Sequence, residues 1–144
     1  MNFHEFEESV QRIRAQKPMW FSSQNEKVAT DEQLVSAEKI LGVELPSEYK
    51  EFVRRYGGGY FALTNVFSVD PASEWYIVVK QKEFNLSDKF VAITDDETGG
   101  AYGFLVESRK CSDAVFYLNP DENGIAVLQY ASFLEYLAKV GLSA

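Results

Sequence analysis

The sequence predicts an α+β fold in which N-terminal helices and a C-terminal helix pack on one antiparallel sheet of about six strands. Three observations carry this expectation. Apolar residues recur at helical spacing up to Tyr56, the period becomes extended after Gly57-Gly58-Gly59, and a last helical stripe follows Ser132.

The first stripe is Phe3, Phe6, Val10 and Ile13, spaced three or four apart on an otherwise charged segment. Pro18 ends it, and Met19-Trp20-Phe21 forms an apolar knot before a polar stretch. A second helix opens at Thr30, whose hydroxyl can cap free amides while Gln33 reaches back in a capping box. Its inward face is Leu34, Ala37, Ile40 and Leu41, and Gly42 supplies a left-handed residue to end it. Pro46 suits the first turn of a third helix, along which Tyr49, Phe52, Val53 and Tyr56 share one face.

Strands are expected at Tyr60–Leu63, Trp75–Val79, Phe90–Thr94, Ala101–Val106, Val115–Leu118 and Ile125–Tyr130, mostly rich in aromatic and β-branched residues. Asn123-Gly124 accepts the positive φ angles of a tight hairpin turn, and Gly99-Gly100 serves the preceding pair. Trp75–Val79 is a candidate edge open to pairing with another chain. The closing helix begins at Ser132, with Glu135 at the capping-box position, Phe133, Leu134, Leu137, Ala138 and Val140 as its apolar face, and Gly141 as its end.

No Pro/Gly/Ser-rich linker and no repeat interrupts the 144 residues, so one domain spanning 1–144 is expected. Cys111 is the only cysteine, which rules out an intramolecular disulfide and points to a reducing compartment. The N-terminus is acidic where an export signal is basic, and Trp75–Val79, the longest strongly apolar run, falls far short of the ~20 residues of a membrane helix. A cytoplasmic location follows as an expectation.

Acids outnumber bases 22 to 14, and residues 61–144 hold 12 acids against 6 bases. Such a surface repels phosphate backbones and anionic headgroups and attracts a basic protein, so neither nucleic acid nor membrane is an expected partner. The same acidity also serves plain solubility.

Candidate chemistry is sparse. His4 is the only histidine and sits at the chain terminus, leaving Cys111 with no base beyond the mild influence of Lys110. One His and one Cys cannot cage zinc or iron, and Asp95 to Gly100 departs from a calcium loop because Gly99 occupies the fifth position. The triple glycine follows a helix and leads into a strand, the reverse of a phosphate loop. No metal and no cofactor is expected, and no enzyme. Carboxylate pairs abound in any acidic chain, so a carboxylate-based hydrolase survives only as an unspecific alternative.

The aromatics Trp20, Tyr60, Trp75, Tyr76, Tyr102, Tyr117 and Tyr130 divide between core and interface anchors, some of them on the sheet face turned away from the helices. Acids at loop tips, namely Asp95, Asp96, Glu97, Asp121 and Glu122, would rim such anchors with negative charge. Trp75 and Tyr102 are the candidate anchors.

The stretch TDEQLVSAEKILGVELPSEYKEFVRRYGGG, Thr30 to Gly59, resembles the signature of the SUKH superfamily, the Smi/Knr-like domains. Its central glutamate is Glu38, its turn is Leu41, Gly42, Leu45 and Pro46, its aromatics are Tyr49, Phe52 and Tyr56, and its closing pair is Gly57-Gly58. Tyr56 stands where the signature has asparagine. FVAITDDETGGAYGFLV, VFYLNPDENG and SFLEYLAKVG resemble the family's later hairpins and closing helix, so the likeness spans about residues 28–141. Many bacterial members are immunity proteins that neutralise polymorphic toxins, often nucleases, and the resemblance implies that role here. Fungal relatives act as regulatory scaffolds, which keeps an adaptor binding other cellular proteins as the alternative.

Overall fold

The computed structural model describes every residue except Asn25, Glu26, Asn85, Ser87, Asn123 and Ala144. Helix α1 (Phe3–Gln16) starts at Asn2, whose side chain accepts from the Glu5 amide while the Glu5 carboxylate accepts from the Asn2 amide. A single 3₁₀ turn, Pro18–Phe21, occupies the apolar knot. Helix α2 (Asp31–Leu41) has the expected box: Gln33 N–H donates to the Thr30 hydroxyl and Thr30 N–H to the Gln33 carbonyl, both at 3.1 Å. Gly42, at φ 71°, ends it in the left-handed region.

Helix α3 (Ser47–Tyr56) begins one residue after Pro46, which takes the cap position rather than the first turn. Tyr49, Phe52 and Val53 are buried. A small antiparallel hairpin, β1 (Gly59–Phe61) and β2 (Thr64–Val66), follows.

The chain then departs from expectation. Trp75–Val79 is not a strand: residues 77–84 form helix α4 (Ile77–Phe84). The β-branched run Ile77-Val78-Val79 is overruled by what lies around it. Ile77 is buried, Phe84 meets the Phe67 ring at 6.1 Å, and Gln81 between them reaches the sheet, a spacing only a helix provides.

The main sheet has five strands and every pairing is antiparallel. Strands β3 (Phe90–Asp95), β4 (Ala101–Glu107), β6 (Val115–Leu118) and β7 (Val127–Tyr130) run in the order β3-β4-β6-β7, and short β5 (Lys110–Cys111) pairs with β4. With the separate hairpin this replaces one sheet of about six strands. Gly124 has a positive φ of 65° at the β6–β7 turn, whereas Asn123 lies outside the described residues. Helix α5 (Phe133–Tyr136) opens at Ser132, whose hydroxyl accepts from the Glu135 amide, and its last turn, Leu137–Gly141, is π-helical.

Aromatic rings join the layers. Phe6 of α1 touches Phe52, Tyr56 and Phe61, Phe52 touches Phe133 of α5, and Phe133 touches Phe104 of β4. Phe6, Phe104 and Phe133 have no exposed area, so these contacts form the interior of one apolar core that runs from Phe6 to Leu142.

Candidate partner-binding surface

The spacing between α2 and α3 has a local physical cause. Glu38 bends back so that its Oε2 accepts from the Leu45 amide at 2.8 Å and lies 3.4 Å from Lys50 Nζ. Glu44 bonds on both sides to the sheet, its amide donating to Arg109 C=O at 2.7 Å and its carbonyl accepting from Cys111 N–H at 2.9 Å. The Leu45-Pro46 turn is thus pinned between a helix and β5. Tyr49 follows with its hydroxyl donating to Phe67 C=O at 2.5 Å inside the core. Gly58 packs where a Cβ would sit 2.6 Å from Ser68 Cβ, so no side chain fits.

That frame holds β3 and β4, whose connecting loop carries Asp95, Asp96 and Glu97. Asp96 organises the loop: its Oδ1 accepts from Thr98 N–H at 2.8 Å and Gly100 N–H at 2.9 Å, and its Oδ2 accepts from the Tyr117 hydroxyl at 2.5 Å. Partial burial works to raise the carboxyl, but the bonds from Tyr117, Thr98 and Gly100 outweigh it and hold the group below the ordinary aspartate value. Gly100 is required here, since a Cβ would collide with Tyr117 and Asp96. Asp95 accepts from the Glu97 amide at 3.2 Å, and Glu97 takes a positive φ of 62°.

Asp95, Asp96 and Glu97 line one wall of an open cleft of about 310 Å³, with Tyr102 and Tyr136 behind them and Leu63 to Asn65 opposite. Tyr102 lies 5.1 Å from Tyr117, 5.4 Å from Tyr136 and 6.4 Å from Tyr130, ring centroid to centroid. Its register places it on the side of Phe104 and α5, where Tyr136 closes over it. Burial, first, and the nearby Tyr130 and Asp96 raise its phenol.

Asp121 stands against the same loop, its Oδ2 2.9 Å from where a Cβ on Gly99 would be, and both Asp121 and Glu122 are exposed. Asp95, Asp96 and Glu97 thus share a cleft with Tyr102, and Asp121 stands beside their loop, with Glu122 next to it in sequence. Trp75 does not join them: it packs edge-to-face on Tyr60 at 5.3 Å, with Lys80 Nζ 5.3 Å from its centroid. The feature missed from sequence is Tyr136, read only as part of a helix and found as the back wall of the cleft.

Elsewhere, a cleft of about 610 Å³ is lined by Arg14, Phe21, Gln24, Arg55 and Tyr56, among others. Its arginines are engaged: Arg14 donates to Gln24 at 3.0 Å, and Arg55 pairs with Glu7 and with Glu51. Cys111 is buried, and burial followed by the charges of Glu38 and Glu44 pushes its thiol up to about 12. It stays protonated, which removes even the mild activation by Lys110. Among the described residues no group of three or more His, Cys, Asp or Glu is placed to hold a metal, and no helix is long and apolar enough to cross a membrane.

Helices packed on an antiparallel sheet, with a pinned Leu-Pro turn and Gly58 packed against Ser68, define an α+β domain of the Smi/Knr-like type. The family model described as SMI1-KNR4 cell-wall (SUKH_6) matches residues 31–137, and the chain belongs to that family. No curated protein matches the chain.

Proposed function

We propose that the protein is a cytoplasmic, single-domain immunity protein that binds a cognate polymorphic toxin, a nuclease domain, and occludes its active site without chemistry of its own. The observation that carries this reading is a cleft lined by Asp95, Asp96 and Glu97 together with Tyr102 and Tyr136, with Asp121 standing beside Gly99 of the same loop, in a member of the SUKH family. A nuclease groove is positive because it holds phosphates, so an acidic body with an aromatic anchor can speed encounter and then seal the groove.

Within this reading Asp95, Glu97, Asp121 and Glu122 steer, and Tyr102 anchors from the cleft wall. Asp96 is spent on Tyr117, Thr98 and Gly100, and therefore holds the loop in shape rather than reaching outward. Trp75, apart from the others and already faced by Lys80, serves a separate contact if it contacts the partner at all.

The test is a pull-down from the native cell, followed, for the toxin-like partner it recovers, by co-expression and stopped-flow association at several salt concentrations. The reading expects co-purification and a rate that falls about tenfold or more between low and high salt, lost in a Glu97→Lys, Asp121→Lys double variant. A complex whose association ignores both salt and these charges sinks it. An adaptor that binds ordinary cellular proteins would instead protect no cell from any neighbouring toxin.

A further inference from the structure

The two edges of the main sheet are treated differently. On β3, the side-chain amide of Gln81 in α4 covers the edge: its Nε2 donates to Ala92 C=O at 2.7 Å and its Oε1 accepts from Ala92 N–H at 2.8 Å. Phe67 N–H then donates to Ile93 C=O at 2.8 Å. That edge is closed.

The opposite edge is β7, beyond which the sheet order has no further strand. In an antiparallel sheet every second residue of an edge strand turns its N–H and C=O outward. Proteins usually guard such an edge with lysine, proline or a covering element. Strand β7 carries a bulge at Gln129, between the Val115–Tyr130 and Phe116–Leu128 pairs, but Val127 to Tyr130 include neither lysine nor proline, and Val127 and Leu128 are 49% and 61% exposed.

We infer that the outer edge of β7 is a strand-addition site for an extended segment of a partner protein flanked by lysine or arginine. Backbone pairing supplies a sequence-tolerant grip, and side chains on the two faces of the added strand rest on Val127 and on Leu128 respectively. Charge selects the occupant. Between Lys110 and Lys139 the chain carries four acids, Asp113, Asp121, Glu122 and Glu135, and no base. Asp121 and Glu122 precede β7, Glu135 follows it, and Asp113 lies near the Tyr130 end because Val115 pairs with Tyr130. Basic flanks would meet acids at both ends of the groove. A second copy is the poorer occupant, since two-fold pairing of β7 with itself sets the Asp121-Glu122 end of one chain beside the Asp113-Glu135 end of the other, in molecules of net charge −8 each. The inference does not depend on the partner being a toxin.

The probes are a short peptide of alternating valine and threonine with paired lysines at both ends, and the same peptide with paired glutamates. With the intact protein, the lysine peptide is expected to slow amide exchange at residues 126–130 and to bind about tenfold or more tightly than the glutamate peptide, an advantage that added salt erodes. Leu128→Lys, a single guarding charge on the strand, should weaken the lysine peptide by a similar factor while leaving the circular dichroism spectrum unchanged. If that variant unfolds, the two-peptide comparison on the unaltered protein still decides. Equal binding of the two peptides, protection elsewhere in the molecule, or no binding of either overturns the inference. So does a concentration-dependent dimer that protects residues 126–130 without peptide, which would make a second copy the occupant. Because the toxin test reads Glu97 and Asp121 and this one reads exchange on β7, either can fail alone.

Discussion

The Tyr117 hydroxyl donates to Asp96 Oδ2 at 2.5 Å, tying β6 to the loop that joins β3 to β4. Tyr117→Phe removes only that oxygen and should cost about 1 kcal/mol, less than a buried bond to a charged acceptor because solvent screens this loop. The pH dependence has a defined sign. Asp96 titrates below its ordinary value in the folded protein, so its contribution is present above that ordinary value and is lost as pH falls through the folded one. Tyr117 is raised by the same bond, so its share holds below the ordinary tyrosine value and is lost as pH rises through the folded one. In Tyr117→Phe, NMR titration should show Asp96 moved up toward an ordinary aspartate.

Glu38 permits a paired comparison. Glu38→Gln keeps an acceptor for the Leu45 amide and loses only the attraction to Lys50, whereas Glu38→Ala leaves that amide without its partner. Urea denaturation should find the alanine variant weaker than wild type by about 1–3 kcal/mol and the glutamine variant by less than half of that. Equal losses would mean that the turn is not held by this bond.

Two glycines should respond for different reasons. Gly58→Ala forces a Cβ to within 2.6 Å of Ser68 Cβ and 2.7 Å of its Cα, so backbone must move and a loss of about 2–4 kcal/mol is expected. Gly42→Ala meets nothing within 4 Å and pays only for its φ of 71°, about 1 kcal/mol. Thermal melts of both variants rank them directly.

Gln81→Leu keeps the helix and its bulk but strips the two bonds to Ala92. Amide exchange at Ala92 should accelerate at least tenfold while β6 amides hold steady, because the lesion is confined to one edge.

Cys111 should be inert to thiol reagents at pH 8 in the folded protein, with labelling that tracks urea unfolding. Its burial and raised pKa leave almost no thiolate there. Stoichiometric labelling without denaturant would contradict the buried placement.

Short-range signals read well from sequence. Thr30 with Gln33, and Gly42, are decided within a few residues and the structure keeps them; at Ser132 the hydroxyl caps the Glu135 amide as expected, but the Glu135 carboxylate accepts from Ala131 N–H rather than closing a capping box. What failed depends on partners far along the chain. Ile77-Val78-Val79 has strand composition, yet the β3 edge it would have needed is occupied by Phe67 and by Gln81, so the run coils instead. Strands β2 and β5, of three and two residues, carry no periodicity of their own. The acids of the candidate surface were legible as loop residues, but their convergence required the β3–β4 and β6–β7 turns to lie at one end of the sheet. The face that Tyr102 occupies was not legible, because outward and inward positions differ by one residue of register, which only the pairing with Tyr117 fixes.

The ring contacts that link α1 to β4 also bear on where this domain can be cut. The family match begins at residue 31, yet Phe6, ahead of that point, is fully enclosed by Phe52, Tyr56 and Phe61. A fragment trimmed to the matched span would bare three aromatic side chains at once, and its fate would be clumping rather than a smaller working module.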